Sequence, residues 1–259
     1  MEHLRDPKHP RAIAGLRYSV VPLSRHGFCR TRHDSLYKIL RPGRLKLGPC
    51  YRGRQRQASP HCRQRGTVVV LSRMKLVIAA TGASGTIYLQ RLLSQIDASA
   101  NEVHLIMSGY ARQVAAQETE KFTTPAGIIE HAENDLNVPF VSGSARFDAM
   151  VIIPCSMATL GRIASGTGET ALLRAADVFL KERRKLIVVP RETPWNLVHA
   201  RNVVTLLEAG AIVMPAIPSF YSRPQTVEAV VDTVVWRVLD QIGLPSKGAY
   251  RWKSGSEPN

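Results

Sequence analysis

From residue 74 onward the chain alternates between two kinds of block. Short continuous apolar runs, Lys75–Thr81 (KLVIAAT), Glu102–Met107 (EVHLIM), Ala149–Pro154 (AMVIIP), Lys185–Pro190 (KLIVVP) and Ala211–Met214 (AIVM), are rich in β-branched residues. Runs of this length without alternation predict strands buried on both faces. Between them stand longer segments with apolar positions three and four apart. One of these runs from the Gly82–Gly85 turn to about Ile96, with Ile87, Leu89, Leu92, Leu93 and Ile96 on one face; the others are Gly109–Thr119, Met157–Ala164, Ala171–Arg184, Trp195–Glu208 and Thr226–Ile242. That spacing predicts helices. Residues 120–147 carry no sustained period, and one short helix is expected near Ala126–His131. Strands alternating with helices predict an α/β fold: a parallel sheet covered on both faces, a Rossmann-like three-layer sandwich. The 186 residues from Met74 to the end suffice for one well-buried core.

Residues 1–73 do not share this pattern. They hold 17 Lys and Arg against 3 Asp and Glu, whereas residues 74–259 hold 18 against 17. Almost all of the net charge of +15 therefore sits in the leading segment. Arg, Pro, Gly and Ser are scattered through it without helical or strand period, so it buries too little apolar surface to offset chain entropy and is expected to be disordered. Three readings stand for it. Translation starts at Met74, whose MKLVIAATGASG is a natural domain opening; the segment is an Arg-rich targeting peptide, with a mitochondrial destination; or it is a basic arm for nucleic acid or anionic lipid. The near-neutral remainder calls for no nucleic-acid partner. Three of the four cysteines (Cys29, Cys50, Cys62) fall in the leading segment without CxxC spacing, leaving Cys155 alone in the domain. A single cysteine suits a reducing compartment, and the expected location is the cytoplasm. No apolar run approaches the roughly 18–20 residues of a membrane span.

In an open parallel sheet, ligands bind beyond the carboxyl ends of the strands. The residues placed there are Gly82-Ala83-Ser84-Gly85, Ser108, Cys155-Ser156-Met157-Ala158-Thr159, Arg191-Glu192-Thr193-Pro194 and the loop Pro215–Arg223 with Phe220 and Tyr221. Small hydroxyl residues that open helices present backbone N–H groups to an anion, and glycine lets the backbone approach closely. The set suits a phosphate-bearing ligand such as a mononucleotide. The turn after the first strand equally suits a plain helix start with Ser84 as N-cap. Arg174, Asp177 and Lys181 share one helical face, which is either a solvated face or part of a site. Arg237, among Val234, Val235, Val238 and Leu239, is expected to direct its head inward. Cations converging with Tyr221 would form a second anion pocket.

TGASG, PCSMATLGRIASG, LLRAADVFLKERRKLIVVPRETP and PSFYSRP, in this order between Met74 and about Trp252, together resemble the UbiX-type flavin prenyltransferases. The resemblance implies a flavodoxin-like homo-oligomer, often a dodecamer built from trimers, with sites at subunit interfaces and no metal. It implies transfer of a dimethylallyl group from dimethylallyl monophosphate to N5 and C6 of reduced FMN, the product serving a UbiD-type decarboxylase. Matched residue by residue, it assigns FMN binding to Gly82, Ala83, Ser84, Ser108, Ser156, Met157, Ala158, Thr159 and Arg191. It assigns the prenyl phosphate to Tyr221 and Arg237, with Lys181, Arg174 and Glu192 as polar residues around it and Trp252 as a cover from the carboxyl-terminal tail. Ala158 stands where many members have Lys, and Ala145 where many have Phe.

Breaking an allylic C–O bond develops opposite charges on the prenyl group and the departing phosphate. Lys181, Arg237 and the Tyr221 hydroxyl, with Arg174 close by, are expected to hold the phosphate. Trp252 favours the allylic cation through its ring face. Glu192 or the released phosphate takes the proton lost on ring closure, unless Glu192 only orients Arg191 through an ion pair. Cys155 precedes a helix but has no His partner, so it is not expected to be a nucleophile, and His199 reads as a helix-surface or core residue. Two rival functions are a cysteine-decarboxylase type of flavoprotein and a non-catalytic flavin-binding subunit of a decarboxylase complex. The first is disfavoured by PCSMAT in place of a PASANT-like motif and by the lack of a His between Met74 and His104. The second has no use for a second phosphate pocket.

Overall fold

The computed structural model describes residues 73–246 and 248–252, with the backbone of two short strands ahead of them. Those strands, β1 (Tyr18–Ser19) and β2 (Val70–Leu71), pair antiparallel in a unit of their own. The disorder expected over residues 1–73 otherwise lies outside the described residues.

The domain is built on six parallel strands: β3 (Lys75–Ala80), β4 (Glu102–Met107), β5 (Ile128–His131), β6 (Ala149–Cys155), β7 (Lys185–Pro190) and β8 (Ile212–Val213). Their order across the sheet is β5-β4-β3-β6-β7-β8, all pairs parallel. Chain order reverses between β3 and β6, and there the first crossovers leave in opposite directions and open a crevice. The helices are α1 (Thr86–Gln95), α2 (Gly109–Glu118), α3 (Met157–Ala164), α4 (Ala171–Lys181), α5 (Leu197–Glu208) and α6 (Val227–Ile242).

Alternation within β3 shows why its run is apolar throughout. Leu76, Ile78 and Ala80 pack on one side with residues of α1, α2 and α6, while Val77 and Ala79 pack on the other with residues of α3 and α4. Side chains two apart share a face, so a strand between two helical layers needs both sets apolar. Arg91 of α1 forks onto Asp232 of α6, with Gln95 joining the same carboxylate, which fixes one helical layer.

The expected helix at Ala126–His131 is instead the edge strand β5. Residues Ile128–His131 pair with Val103–Ile106 of β4, and this long-range ladder overrides a weak local preference. His131 helps fasten the strand. Its Nε2 lies 2.7 Å from His104 Nδ1, and His104 Nε2 lies 3.1 Å from Glu102 Oε1. The two rings stack with centroids 5.0 Å apart, and Phe140 and Phe147 close around them edge-on. Between two ring nitrogens one must donate and the other accept, so at least one imidazole stays neutral. Burial lowers the His131 pKa, His104 lowers it further, and Asp135 opposes them. A base depressed in the fold binds more protons when unfolded. Its stabilising effect is therefore full above the ordinary imidazole value of about 6.5 and declines as pH falls through it. Urea melts are expected to show stability falling from about pH 7 to pH 5, and His131→Gln to flatten that decline. Equal slopes for the two proteins would refute this role for the imidazole pair.

Candidate functional site

At the reversal between β3 and β6 lies a cleft of about 420 Å³, reached by the carboxyl ends of β3, β4 and β6 and by the starts of α2, α3 and α4. Gly82, Ser108, Ser156, Ala158 and Thr159, all expected in the site, line it together. The structure adds Tyr110, Gln113, Glu133 and Thr170, which no motif announced, together with Thr81 and Arg162, which stand within TGASG and PCSMATLGRIASG but carried no assigned role. Thr81 sets the floor. Its N–H and hydroxyl both donate to the Pro154 carbonyl, and its Oγ1 accepts from Ser156 N at 2.7 Å. These bonds hold the ends of β3 and β6 in register. Ala83 and Met157 are buried behind the wall, so their side chains serve packing. At Gly82 a Cβ would stand 2.5 Å from Tyr110 Cβ, so the turn and α2 come this close only because residue 82 has no side chain.

The Gly82–Gly85 turn departs from expectation in an informative way. Ser84 is not the N-cap of α1. Gly85 holds that position in the left-handed region, at φ 118°, with no side-chain cap of its own. The cap arrives from the end of α2, where the Glu118 carboxylate accepts from Gly85 N at 3.0 Å and Thr86 N at 2.7 Å. Burial raises the Glu118 pKa, but hydrogen bonds from Ser84, Thr86 and Gly85 outweigh it and hold the carboxyl below its ordinary range. On the other side, Arg191 Nε donates to the Ser84 carbonyl at 2.9 Å. A carboxylate and a guanidinium thus fix the turn from both flanks. The anion seat expected at the start of α1 is taken by Glu118.

The start of α2 is engaged as well. Ser108 Oγ accepts from Ala111 N, and Glu133 Oε2 accepts from Gly109 N at 2.9 Å. At α3, Ser156 Oγ accepts from Thr159 N at 3.2 Å. Helix geometry leaves the Met157 and Ala158 amides without intrahelical partners, and Arg162 lines the cleft one turn on. The start of α3 therefore offers the cleft backbone donors without helical partners, and the helix dipole favours negative charge there.

The residues expected at the second anion pocket divide into groups. Tyr221 and Trp252 meet, and Arg237 on α6 is tied through Asp240 to Arg251, the residue before Trp252. Tyr221 meets Trp252 edge-on at 5.6 Å and stacks with Tyr250 at 6.4 Å. Arg251, next to Trp252, forks onto Asp240, and Arg237 reaches the same carboxylate at 3.3 Å. The Arg237 head is not turned inward: its side chain is 63% exposed. None of these three residues lines the cleft. Lys181 is the last residue of α4, paired with Glu182 at 2.6 Å and packed against Gly143. Arg174 lies in the first turn of that helix, against Gly168. Glu192 accepts from Thr193 N while its carbonyl accepts from Trp195 Nε1, so local turn bonds hold it in place of the ion pair with Arg191. Cys155 is fully buried, and burial pushes its thiol up to about 12 against opposing hydrogen bonds from Thr81 and the Leu160 backbone. Such a thiol stays protonated and is a poor nucleophile. His199 completes a capping box with Asn196 at the start of α5, which begins at Leu197 and not at Trp195. Among the described residues no group of three or more His, Cys, Asp or Glu could hold a metal, and no helix is long and apolar enough to cross a membrane.

The family model described as Flavoprotein matches residues 69–239. The flavin prenyltransferase UbiX of Methanocaldococcus jannaschii is 43% identical over 182 residues, which cover 69% of this chain and 98% of that protein. UbiX of Pseudomonas aeruginosa is 42% identical over 195 residues, 69% of this chain and 93% of the relative. Among solved structures, AnUbiX (PadA1) in complex with FMN and dimethylallyl pyrophosphate superposes with a TM-score of 0.66 at 37% identity, covering 71% of this chain and 100% of that one. A dodecameric FMN-dependent UbiX-like decarboxylase from Escherichia coli O157:H7 superposes with the same score at 40% identity, covering 70% and 100%. With its sheet order, its cleft at the β3–β6 reversal and these likenesses, the chain belongs to the flavoprotein family, among the UbiX flavin prenyltransferases.

Proposed function

We infer that this protein transfers a dimethylallyl group from dimethylallyl monophosphate to reduced FMN, and that a UbiD-type decarboxylase takes up the product. The observation that carries the reading is the cleft at the strand reversal, whose amides at α3 are open to an anion, in a chain 43% identical to a flavin prenyltransferase. The residues fit the flavin. A cleft of about 420 Å³ lies within the range of about 300–1,000 Å³ usual for small-molecule sites. Met157 N, Ala158 N and Arg162 would take the phosphate, while Ser108, Thr159 and the Gly82 backbone border the rest of the ligand. When bound, reduced FMN supplies the N5 and C6 that become bonded to the prenyl group as phosphate departs.

The chain's own residues do three things in this reading. Glu118 and Arg191 keep the turn over the cleft fixed, so little reorganisation remains at the moment of reaction. Arg237 and the Tyr221 hydroxyl grip the donor phosphate, and Trp252 covers the allyl group with a ring face. Lys181 and Arg174 add positive charge from a neighbouring copy in a homo-oligomer, for which a dodecamer is the expected form. The deciding experiment incubates the protein with reduced FMN and dimethylallyl monophosphate and follows the flavin by mass spectrometry. A gain of one prenyl unit is expected. Bound flavin with no gain, with the mono- or the diphosphate donor, would refute the reading.

A further inference from the structure

Among the described residues, a charged pair fastens the carboxyl-terminal tail to the domain. Gly243 closes α6 in the left-handed region, and the described residues that follow form no helix or strand. From Gly248 to Trp252 every side chain is half-buried or exposed. A segment with so little apolar burial does not hold its place by packing. What it has is Arg251. Its Nη1 donates to Asp240 Oδ2 at 2.6 Å and its Nη2 to Asp240 Oδ1 at 2.7 Å, a parallel two-bond fork. Ser246 closes the arrangement by donating to Asp240 Oδ1 at 3.2 Å while accepting from Arg251 Nη2 at 2.7 Å. The Asp240 side chain is only 18% exposed and that of Arg251 47%, so the fork joins a shielded carboxylate to a guanidinium at the surface. The hydrogen bond from Arg251 is the main reason its carboxyl is held below the ordinary range, with burial opposing.

The residues on either side of Arg251 make the ring contacts. Tyr250 stacks on Tyr221 and Trp252 meets it edge-on, although Tyr221 is 70% and Trp252 68% exposed. Asp240 thus links two elements. Through Arg251 it brings two rings onto Tyr221, and through a longer bond of 3.3 Å it steadies Arg237 one turn earlier on α6. The Arg237 contact is the longest of Asp240's bonds and the one a phosphate can replace without releasing the tail.

We propose that Asp240 and Arg251 are positioning residues for the prenyl donor: their ion pair latches the tail so that Trp252 and Tyr250 stand against Tyr221, while the same carboxylate holds Arg237 on α6. This rests on the reading of Tyr221, Arg237 and Trp252 as the donor's binding group, and extends it to two residues outside that group, neither of which lines the cleft.

The test uses the full chain with Asp240→Asn, Arg251→Ala, Arg251→Lys and the charge swap Asp240→Arg/Arg251→Asp. Steady-state prenylation of reduced FMN is measured against dimethylallyl monophosphate. Reduced-flavin affinity is titrated in parallel, and the near-UV circular dichroism due to Trp252 is isolated by difference from Trp252→Phe. Arg251→Ala and Asp240→Asn are expected to raise the KM for the donor about tenfold or more, the loss of roughly one charge-assisted bond. Flavin affinity stays unchanged and the Trp252 signal collapses. Arg251→Lys, which keeps the charge without the fork, recovers part of both, and the swap recovers more than either single change. A Trp252 signal that survives Arg251→Ala overturns the latch. A lost signal with unchanged KM overturns its role for the donor. Failure of the parent reading looks different: the unaltered protein prenylates no flavin, while the Trp252 signal still reports the latch.

Discussion

Lys181→Ala is expected to lower prenyl transfer by about 10²–10³-fold, the loss seen when one preorganised charge-stabilising donor is removed, while flavin binding stays intact. Its pair with Glu182 is half-exposed and contributes little to stability, so the protein should fold normally. The position of Lys181 sharpens the test. Helix α4 starts at the cleft with Thr170, Leu172 and Leu173, and Lys181 closes it. At 1.5 Å per residue, that end is about 12 Å along the axis from Leu173, the last residue of the helix that lines the cleft. A lysine so placed is expected to act on the cleft of another copy. Mixed oligomers of Lys181→Ala subunits and subunits that cannot bind flavin should therefore regain activity that neither has alone. Unchanged turnover in Lys181→Ala, or mixtures as inactive as their components, would remove Lys181 from the reaction.

Gly82→Val should abolish flavin retention and supplies the second partner for that mixture. The added Cβ would meet Tyr110 Cβ at 2.5 Å. That atom is the stem of the side chain, so the tyrosine cannot swing clear, and α2 or the turn must move. Overpacking of this kind costs about 1–3 kcal/mol, a loss of several degrees in melting temperature for a domain of this size. The displaced elements both border the cleft, so FMN affinity, read by quenching of flavin fluorescence, is expected to fall at least about 100-fold, the effect of a shift near 1 Å in a positioned site. Gly109→Ala is the control for melting. A Cβ there meets nothing within 4 Å, and the melting temperature should not change. Full flavin affinity in Gly82→Val would refute the account of the turn.

Strands buried on both faces were readable because nothing but their own composition decides them. β4 and β7 run over the residues expected, and β3 and β6 shift by one residue at their carboxyl ends. β5 was not readable, because Ile128–His131 is four residues long and its identity comes from β4, more than twenty positions earlier. The cap on α1 was hidden for the same reason: Glu118 stands 32 and 33 positions beyond the amides it serves. Arg237 was a misreading of the helical wheel. Its apolar neighbours are adjacent in sequence, but residue 237 lies about 200° around the axis from Val235, facing away from the buried stripe. Ser108, Ser156 and Thr159 were legible because a hydroxyl that opens a helix at a strand's carboxyl end has a local purpose, and that purpose sets its place. Asp240 and Arg251 gave no motif, since an ion pair eleven residues apart with a turn between has no period to reveal it.

The brevity of β8 reaches beyond this chain. Two residues form β8, and the chain beyond it stays tied to β7 by Met214 N on the Val188 carbonyl and Ala216 N on the Pro190 carbonyl, so the regular border on that side is short. On α5, Leu197, Val198, Val204 and Leu207 turn apolar side chains to solvent, a greasy face of the kind through which copies of a protein can meet.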